Sequence, residues 1–265
     1  MPSHTDTIAS LRSVIHNPRE IFSASKMLKD LEAVKVEAKN DPQVLREATI
    51  LIGEVEYKRG ELTAALSALE EAMAMPRQST DVTEDCQSHN LMAKINSELG
   101  RHESAAKQYK IAAELAKSAA KLTASQKLGL YEKYAFELHE CRQYQEALKI
   151  NTETLEKAEQ LFGKDDPRLT TIITNTAQNL YMLKRFAEAK KFLERCLAIS
   201  TKSGNIEKQQ DMLFQLGVLA CEEGDAKDAR LYMQQRVALL SKHGNQHMLD
   251  VAKSDLAELE NRLKK

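Results

Sequence analysis

Tryptophan is absent from the sequence, and only nine glycines and five prolines occur in 265 residues. So few chain breakers exclude a disordered polymer and a turn-rich β fold, and leave an all-helical chain as the expectation. No apolar run reaches the length of about eighteen residues that a membrane-spanning helix needs. The opening segment MPSHTDTIAS lacks the basic-then-apolar order of an export signal, so the expectation is a soluble, unexported, cytoplasmic protein. Neither sign of charge dominates: 38 lysines and arginines stand against 39 aspartates and glutamates, a formal charge of -1. That balance argues against nucleic acid or an anionic membrane as the main partner. Cys86, Cys141, Cys196 and Cys221 lie far apart with no C-x-x-C pair, which excludes a metal knuckle and a disulfide framework. Buried free thiols, as expected for Cys196, fit a reducing compartment.

What the sequence does have is a repeat. Five times a small residue is followed twelve positions later by alanine: Gly53/Ala65, Ala93/Ala105, Ala135/Ala147, Ala177/Ala189 and Gly217/Ala229. The seventh residue after the small one is Gly60, Gly100, Arg142, Lys184 or Gly224, a position suited to a helix that ends in a left-handed residue. Each unit therefore reads as helix, tight turn, helix. The small residue and the alanine mark the crossing, because close axes leave no room for a larger side chain. Successive alanines are 40, 42, 42 and 40 residues apart, so insertion falls between hairpins while the spacing inside each stays fixed. Stacked copies of one hairpin make a solenoid.

Around the five copies the sequence reads as three regions. Residues 1–40 form an N-terminal helical hairpin or degenerate repeat, residues 41–245 the five repeats, and residues 246–265 a C-terminal capping helix. Ile8, Leu11, Val14 and Ile15 share one helical face, as do Ile21, Leu28, Leu31 and Val34, and later Met248, Val251, Leu256, Leu259 and Leu263. Asp41-Pro42 and Asp166-Pro167 place a capping carboxylate before a proline whose missing N–H costs nothing at the first helical position. Asn17-Pro18-Arg19-Glu20 adds a glutamate suited to a capping box. Helix starts follow near residues 18, 42 and 167. Arg77–Glu84 and Ser118–Ser125 read as loops, the first as a hinge because only Val82 could hold it down.

The small residue, the turn and the alanine form the skeleton of the tetratricopeptide repeat, which the sequence resembles over residues 43–243. Tyr144 and Phe186 stand three before the alanine, and Leu69, Tyr109, Leu193 and Met233 four after it. Glu56, Asn96, Asn151 and Arg236 depart from the pattern, the last two at positions that are apolar or small in the family. Residues 161–200, LFGKDDPRLTTIITNTAQNLYMLKRFAEAKKFLERCLAIS, look like the long repeats of kinesin light chains. The resemblance implies an all-α, right-handed superhelical solenoid of about five repeats. It further implies a non-enzymatic scaffold or adaptor that takes a peptide segment of a partner protein in its concave groove. A peptide-responsive regulatory receptor and a constitutive subunit of a larger complex are the alternatives.

Groove residues follow from helical spacing about each small residue. They are Ile50 and Glu54, Asn90 and Lys94, Glu132 and Phe136, Thr174 and Gln178, and Phe214 and Val218, with Lys58, Lys133, Asn175 and Gln215 beside them. The partner-binding set is Glu54, Asn90, Lys94, Glu132, Lys133, Phe136, Asn175, Gln178, Phe214 and Gln215: amide-rich, mildly charged, with Phe136 and Phe214 as apolar anchors. The two phenylalanines fit packing between repeats equally well. Members of the family that clamp a chaperone's C-terminal carboxylate need cationic or amide groups where Glu54 and Glu132 stand, so that mode is not expected. His139 reads as a surface side chain, and His243 and His247 flank a turn with no third ligand in sequence, so neither catalysis nor a metal site is expected. No phosphate loop or cofactor fingerprint occurs, and no cofactor is expected.

Overall fold

The computed structural model describes residues 4–16 and 23–262, and the capping box expected at 17–20 lies outside them. Thirteen α-helices are described: α1 (His4–His16), α2 (Ala24–Glu37), α3 (Pro42–Arg59), α4 (Leu62–Ala74), α5 (Thr83–Glu98), α6 (His102–Ala116), α7 (Ala124–Glu140), α8 (Tyr144–Phe162), α9 (Thr170–Met182), α10 (Phe186–Ser203), α11 (Ile206–Glu222), α12 (Ala226–His243) and α13 (Gln246–Arg262). No strand occurs among the described residues, and none of these helices is long and apolar enough to cross a membrane. The chain divides into two compact units, residues 1–137 and 138–265, with the boundary inside α7.

Within each unit, consecutive helices pack against one another. In the first, α3 packs on α4 and α5 on α6; in the second, α9 packs on α10 and α11 on α12, with α13 closing on α12. The hairpin register follows the small-residue pairs. Ala65, Ala93, Ala105, Ala147, Ala189 and Ala229 are fully buried. A Cβ placed on Gly53 would stand 2.7 Å from Leu69 Cγ, and one on Gly217 would stand 2.9 Å from Met233 Cε. Those helices approach more closely than an alanine would allow.

Every turn ends the first helix in the same way. Gly60, Gly100, Arg142, Lys184 and Gly224 all have positive φ, between 59° and 82°. The residue after each donates its N–H to a carbonyl five residues earlier, with Glu61 bonding Glu56, Arg101 Asn96, Gln143 Leu138, Arg185 Leu180 and Asp225 Ala220 at 2.8–3.0 Å. This bond closes the helix end and ties off one of its orphan carbonyls. At the other ends, Asp41 Oδ1 accepts from the N–H groups of Gln43 and Val44. Asp166 accepts from Arg168 N at 2.9 Å, and Pro167 opens a short 3-10 turn that leads into α9 three residues later than the sequence suggests.

α1 and α2 contribute Ile8, Ile15, Met27, Leu31 and Val34 to one core with Val44, Leu51 and Val55 of α3. α13 adds Leu259 to a core with Ala220, Ala229 and Met233. Val251, expected on the apolar face of α13, is 40% exposed, and Ala252 is buried instead. The stretch expected as a hinge is anchored: Val82 is buried, Arg77 pairs with Asp85 at 3.1 Å and Lys121 with Asp81 at 3.1 Å. The Thr83 hydroxyl and N–H bonds, then Lys121, hold the Asp81 carboxyl down at about 2.

Two substitutions test this packing. Gly53→Val is expected to overpack the crossing against Leu69 and cost on the order of 1–3 kcal/mol, read as a lower urea midpoint. Asn151 is 1% exposed and neither of its amide atoms has a hydrogen-bond partner. An unsatisfied buried polar group costs about 1–3 kcal/mol, so Asn151→Leu should raise the midpoint, and a lower one would show that the amide has a structural use.

Candidate functional site

In the first unit the candidate residues lie in two places. Lys133 of α7 donates to Asn90 Oδ1 of α5 at 3.1 Å and stands 5.8 Å from the Tyr109 ring. Lys94 lies 4.9 Å over the Tyr57 ring and 3.9 Å from Glu98, which accepts from the Tyr57 hydroxyl at 2.7 Å. Burial, and then repulsion from Lys94, lower the Lys133 ammonium below its ordinary range. Three candidates, Asn90, Lys94 and Lys133, thus already have partners within the unit. Phe136 stands 46% exposed on α7.

Glu54 belongs to a different feature, a charged cleft of about 340 Å³ shared with Arg12, Arg46, Glu47, Glu84 and Asp85. There Arg46 is buried and holds Asp85 at 2.7 Å, while Arg12 of α1 reaches Glu84 at 2.6 Å and Glu47 at 3.7 Å. Burial raises the Glu84 carboxyl above its usual range in spite of Arg12. These ion pairs join α1, α3 and α5. Lys58 donates to the Ile15 carbonyl at the end of α1, so it too serves the N-terminal packing.

Two expected groove positions are core. Ile50 is 2% exposed in a cluster with Leu69, Met92 and Ile95, because its side chain turns into the hairpin. Thr174 is 5% exposed and donates back to the Thr170 carbonyl at 2.7 Å.

The second unit brings Gln178, Phe214 and Gln215 together. With His139, Tyr181, Met182 and Val218 they line a mainly apolar cavity of about 440 Å³. A second cavity of about 540 Å³ adjoins it, lined by Phe214, Val218, Cys221, Glu222, Asp255, Glu258 and Leu259. Phe214 and Val218 belong to both, so the ring stands between them. Asn175 is half-buried on α9 and outside the lining; its carbonyl accepts from Asn179 Nδ2 at 2.9 Å.

The walls are held from behind. The Arg236 guanidinium of α12 lies 4.8 Å from the Phe214 ring centroid. Arg236 donates to Gln210 Oε1 of α11 at 3.0 Å and to Asp255 Oδ2 of α13 at 2.5 Å, so three helices fix the ring. His139 is not the surface side chain expected from sequence. It is half-buried, 2.9 Å from Asn179 Oδ1 and edge-on to Tyr144 at 5.1 Å. Because Asn179 spends its Nδ2 on the Asn175 carbonyl, it presents Oδ1, and His139 Nδ1 is the donor. Burial, and then the Glu222 carboxylate that accepts its hydroxyl proton, push the Tyr181 phenol up.

Sequence reasoning missed Tyr181, Met182, Glu222, Asp255 and Glu258. The first three were within reach. Helical spacing carried one more turn, from Gln178 to Tyr181 and Met182 and from Val218 to Cys221 and Glu222, stays on the same face. Asp255 and Glu258 lie on α13, and only its closure on α12 brings them to the cavity. Cys196 is buried as expected, and so is Cys86, while Cys141 is half-buried and Cys221 exposed. No cluster of side chains able to hold a metal occurs among the described residues.

Glu132 of α7 is half-buried, and burial alone raises its carboxyl above the ordinary glutamate value. A raised folded-state value means that stability is fully present below the unfolded value and is lost as pH rises through the folded one. Glu132→Gln should therefore be more stable than wild type at neutral pH, with the difference closing below about pH 4. Urea midpoints of both proteins across that range check the sign.

Comparison with known proteins places this geometry. Residues 128–202 match the family model of the tetratricopeptide repeat, and no curated protein matches the sequence. Among solved structures the chain is similar to BtubC (BKLC) from P. vanneervenii, with a TM-score of 0.65 and 18% identity over 93% of this chain and 94% of that one. It is similar to a putative kinesin light chain of P. anserina with nearly identical repeats, with a TM-score of 0.59 and 15% identity over 77% and 100% of the two chains. It is also similar to YrrB, a tetratricopeptide protein with an unusual peptide-binding site, with a TM-score of 0.57 and 14% identity over 88% and 100%. At these identities the likeness is one of fold.

Proposed function

The chain is built of tetratricopeptide repeats, and on that premise we propose that it is a non-enzymatic adaptor whose second unit takes a peptide segment of a partner protein across α9, α11 and α13. The observation that carries this reading is the pair of adjoining cavities with Phe214 between them. Phe214 is 38% and Met182 44% exposed, so apolar surface stands open where the amides of Gln178 and Gln215 can bond a peptide backbone. A rigid aromatic held from behind and ringed by polar groups is the arrangement of an interface hot spot. YrrB offers a precedent for peptide binding on this fold. The thiols of Cys86 and Cys196 support a reducing, cytoplasmic setting.

Selection of binders from a random peptide library, followed by fluorescence anisotropy, tests the proposal. The selected peptides should lose about tenfold or more in affinity for Phe214→Ala, with Phe136→Ala unchanged. Equal binding by Phe214→Ala with intact helicity, or no selectable peptide at all, would remove the reading.

A further inference from the structure

We infer that the segment taken by the second unit presents a hydroxyl-bearing side chain, serine or threonine, to His139 Nε2 while an apolar residue packs against Phe214. The inference rests on the reading above and adds the chemistry of the partner. His139 and Phe214 line the same cavity. Two hydrogen bonds in series fix the polarity of the imidazole. The Asn175 carbonyl can only accept, so the Asn179 atom that meets it at 2.9 Å is the Nδ2 donor. That leaves Asn179 Oδ1 to face His139 Nδ1 at 2.9 Å, and the proton between them belongs to Nδ1. Asn179 is 1% exposed and Tyr144 stands edge-on to the imidazole, so packing holds both side chains in place. In the neutral ring Nε2 then carries a lone pair. No described residue bonds Nε2, and the atom is not enclosed, so it is open to a ligand.

The glutamines of the same wall do not select in this way. Each carboxamide offers a donor and an acceptor and meets either kind of ligand atom by turning over, whereas the polarity of Nε2 is set by a backbone carbonyl two hydrogen bonds away. A ligand that covers His139 without donating to it strips water from Nε2 and leaves the atom unpaired, and a carboxylate sets lone pair against lone pair. A hydroxyl has one proton to give and two lone pairs to receive with, so it can donate to Nε2 and accept from the amide of Gln178 or Gln215. An ammonium has donors alone and cannot do both. His139 is thus the residue that determines specificity, and Asn179 the one that positions it.

Two measurements test the inference. The first needs no ligand: long-range proton–nitrogen NMR spectra of histidine-labelled protein at neutral pH, with the His139 signals identified by their loss in His139→Phe, should show a bare Nε2 and a proton on Nδ1. A proton on Nε2, in the other tautomer or in the cation, overturns the inference. The second uses three pools of short fluorescent peptides with the same leucine, methionine or phenylalanine anchors and with threonine, valine or glutamate at the flanking positions. Binding is measured on wild type, Phe214→Ala and His139→Phe, with circular dichroism to confirm folding. Wild type should bind the threonine pool about fivefold or more tightly than the valine pool, which has nearly the same shape and no hydroxyl. His139→Phe should lose that margin and keep or improve valine-pool binding, because no unpaired acceptor is then covered. A margin absent from wild type or kept in His139→Phe, or a glutamate pool that binds best, overturns the hydroxyl inference and leaves the peptide site standing. Absence of binding to wild type by every pool, or binding insensitive to Phe214→Ala, overturns the peptide site itself.

Discussion

A methyl group on Gly53 would press into the side chain of Leu69, and one on Gly217 would press into Met233. The first and second helices of each hairpin must come that close because the repeat is too short to bury its apolar residues in any other way. Close axes restrict the crossing residues to glycine and alanine and fix the length of the turn between them. They bring successive first helices onto one face. The cavities of the second unit exist because α9 and α11 are held in this register with their side chains facing the same way.

The same constraint explains why the fold was readable in the sequence. Twelve-residue spacing of small residues is a packing rule written in residue types, and it located the hairpins without any aromatic signature. The turns were readable for a second reason. A bond from the residue after the turn to a carbonyl five residues earlier requires a left-handed residue, which glycine supplies in three copies. Arg142 and Lys184 adopt the same conformation without being glycine, and their place in the register, not their chemistry, identified them. The site was less legible. Helical spacing gave Gln178, Phe214 and Gln215 correctly as neighbours, but it also gave Ile50 and Thr174, which turn into the core. A face defined by two residues per helix is too narrow to tell its edge from its centre. Asp255 and Glu258 were beyond such reasoning, since their place in the site depends on how α13 closes on α12.

Arg236 shows how a departure from the repeat pattern can carry more information than agreement with it. A small residue at that position would let the helices pack without further aid. The arginine instead fills the space with a guanidinium that touches α11 through Gln210 and Phe214, and α13 through Asp255. Burying such a group is costly unless it is paired and hydrogen-bonded, and here it is both. The result is a strut that sets the position of the Phe214 ring. Asn151, another departure, is buried without partners for its amide. The two polar intrusions therefore differ in kind, since one orders a site and the other has no visible structural use.

The two units also treat their exposed polar groups differently. In the first, Lys133 is spent on Asn90, Tyr57 on Glu98, and Arg12 and Arg46 on the carboxylates around them, so a ligand would have to displace bonds already made. Each such displacement leaves a half-buried group unpaired, and the cost of an unpaired group exceeds the net value of the bond it replaces. In the second, the cavity walls carry carboxylates, amides and an open aromatic ring, while the buried arginine is used up behind them. There Phe214 and Met182 stand partly exposed, so a bound segment adds apolar burial. That open apolar surface, more than the size of any cavity, is why we propose the amide-rich face of the second unit as the partner site, while the lysine-bearing face of the first makes bonds within its own repeats.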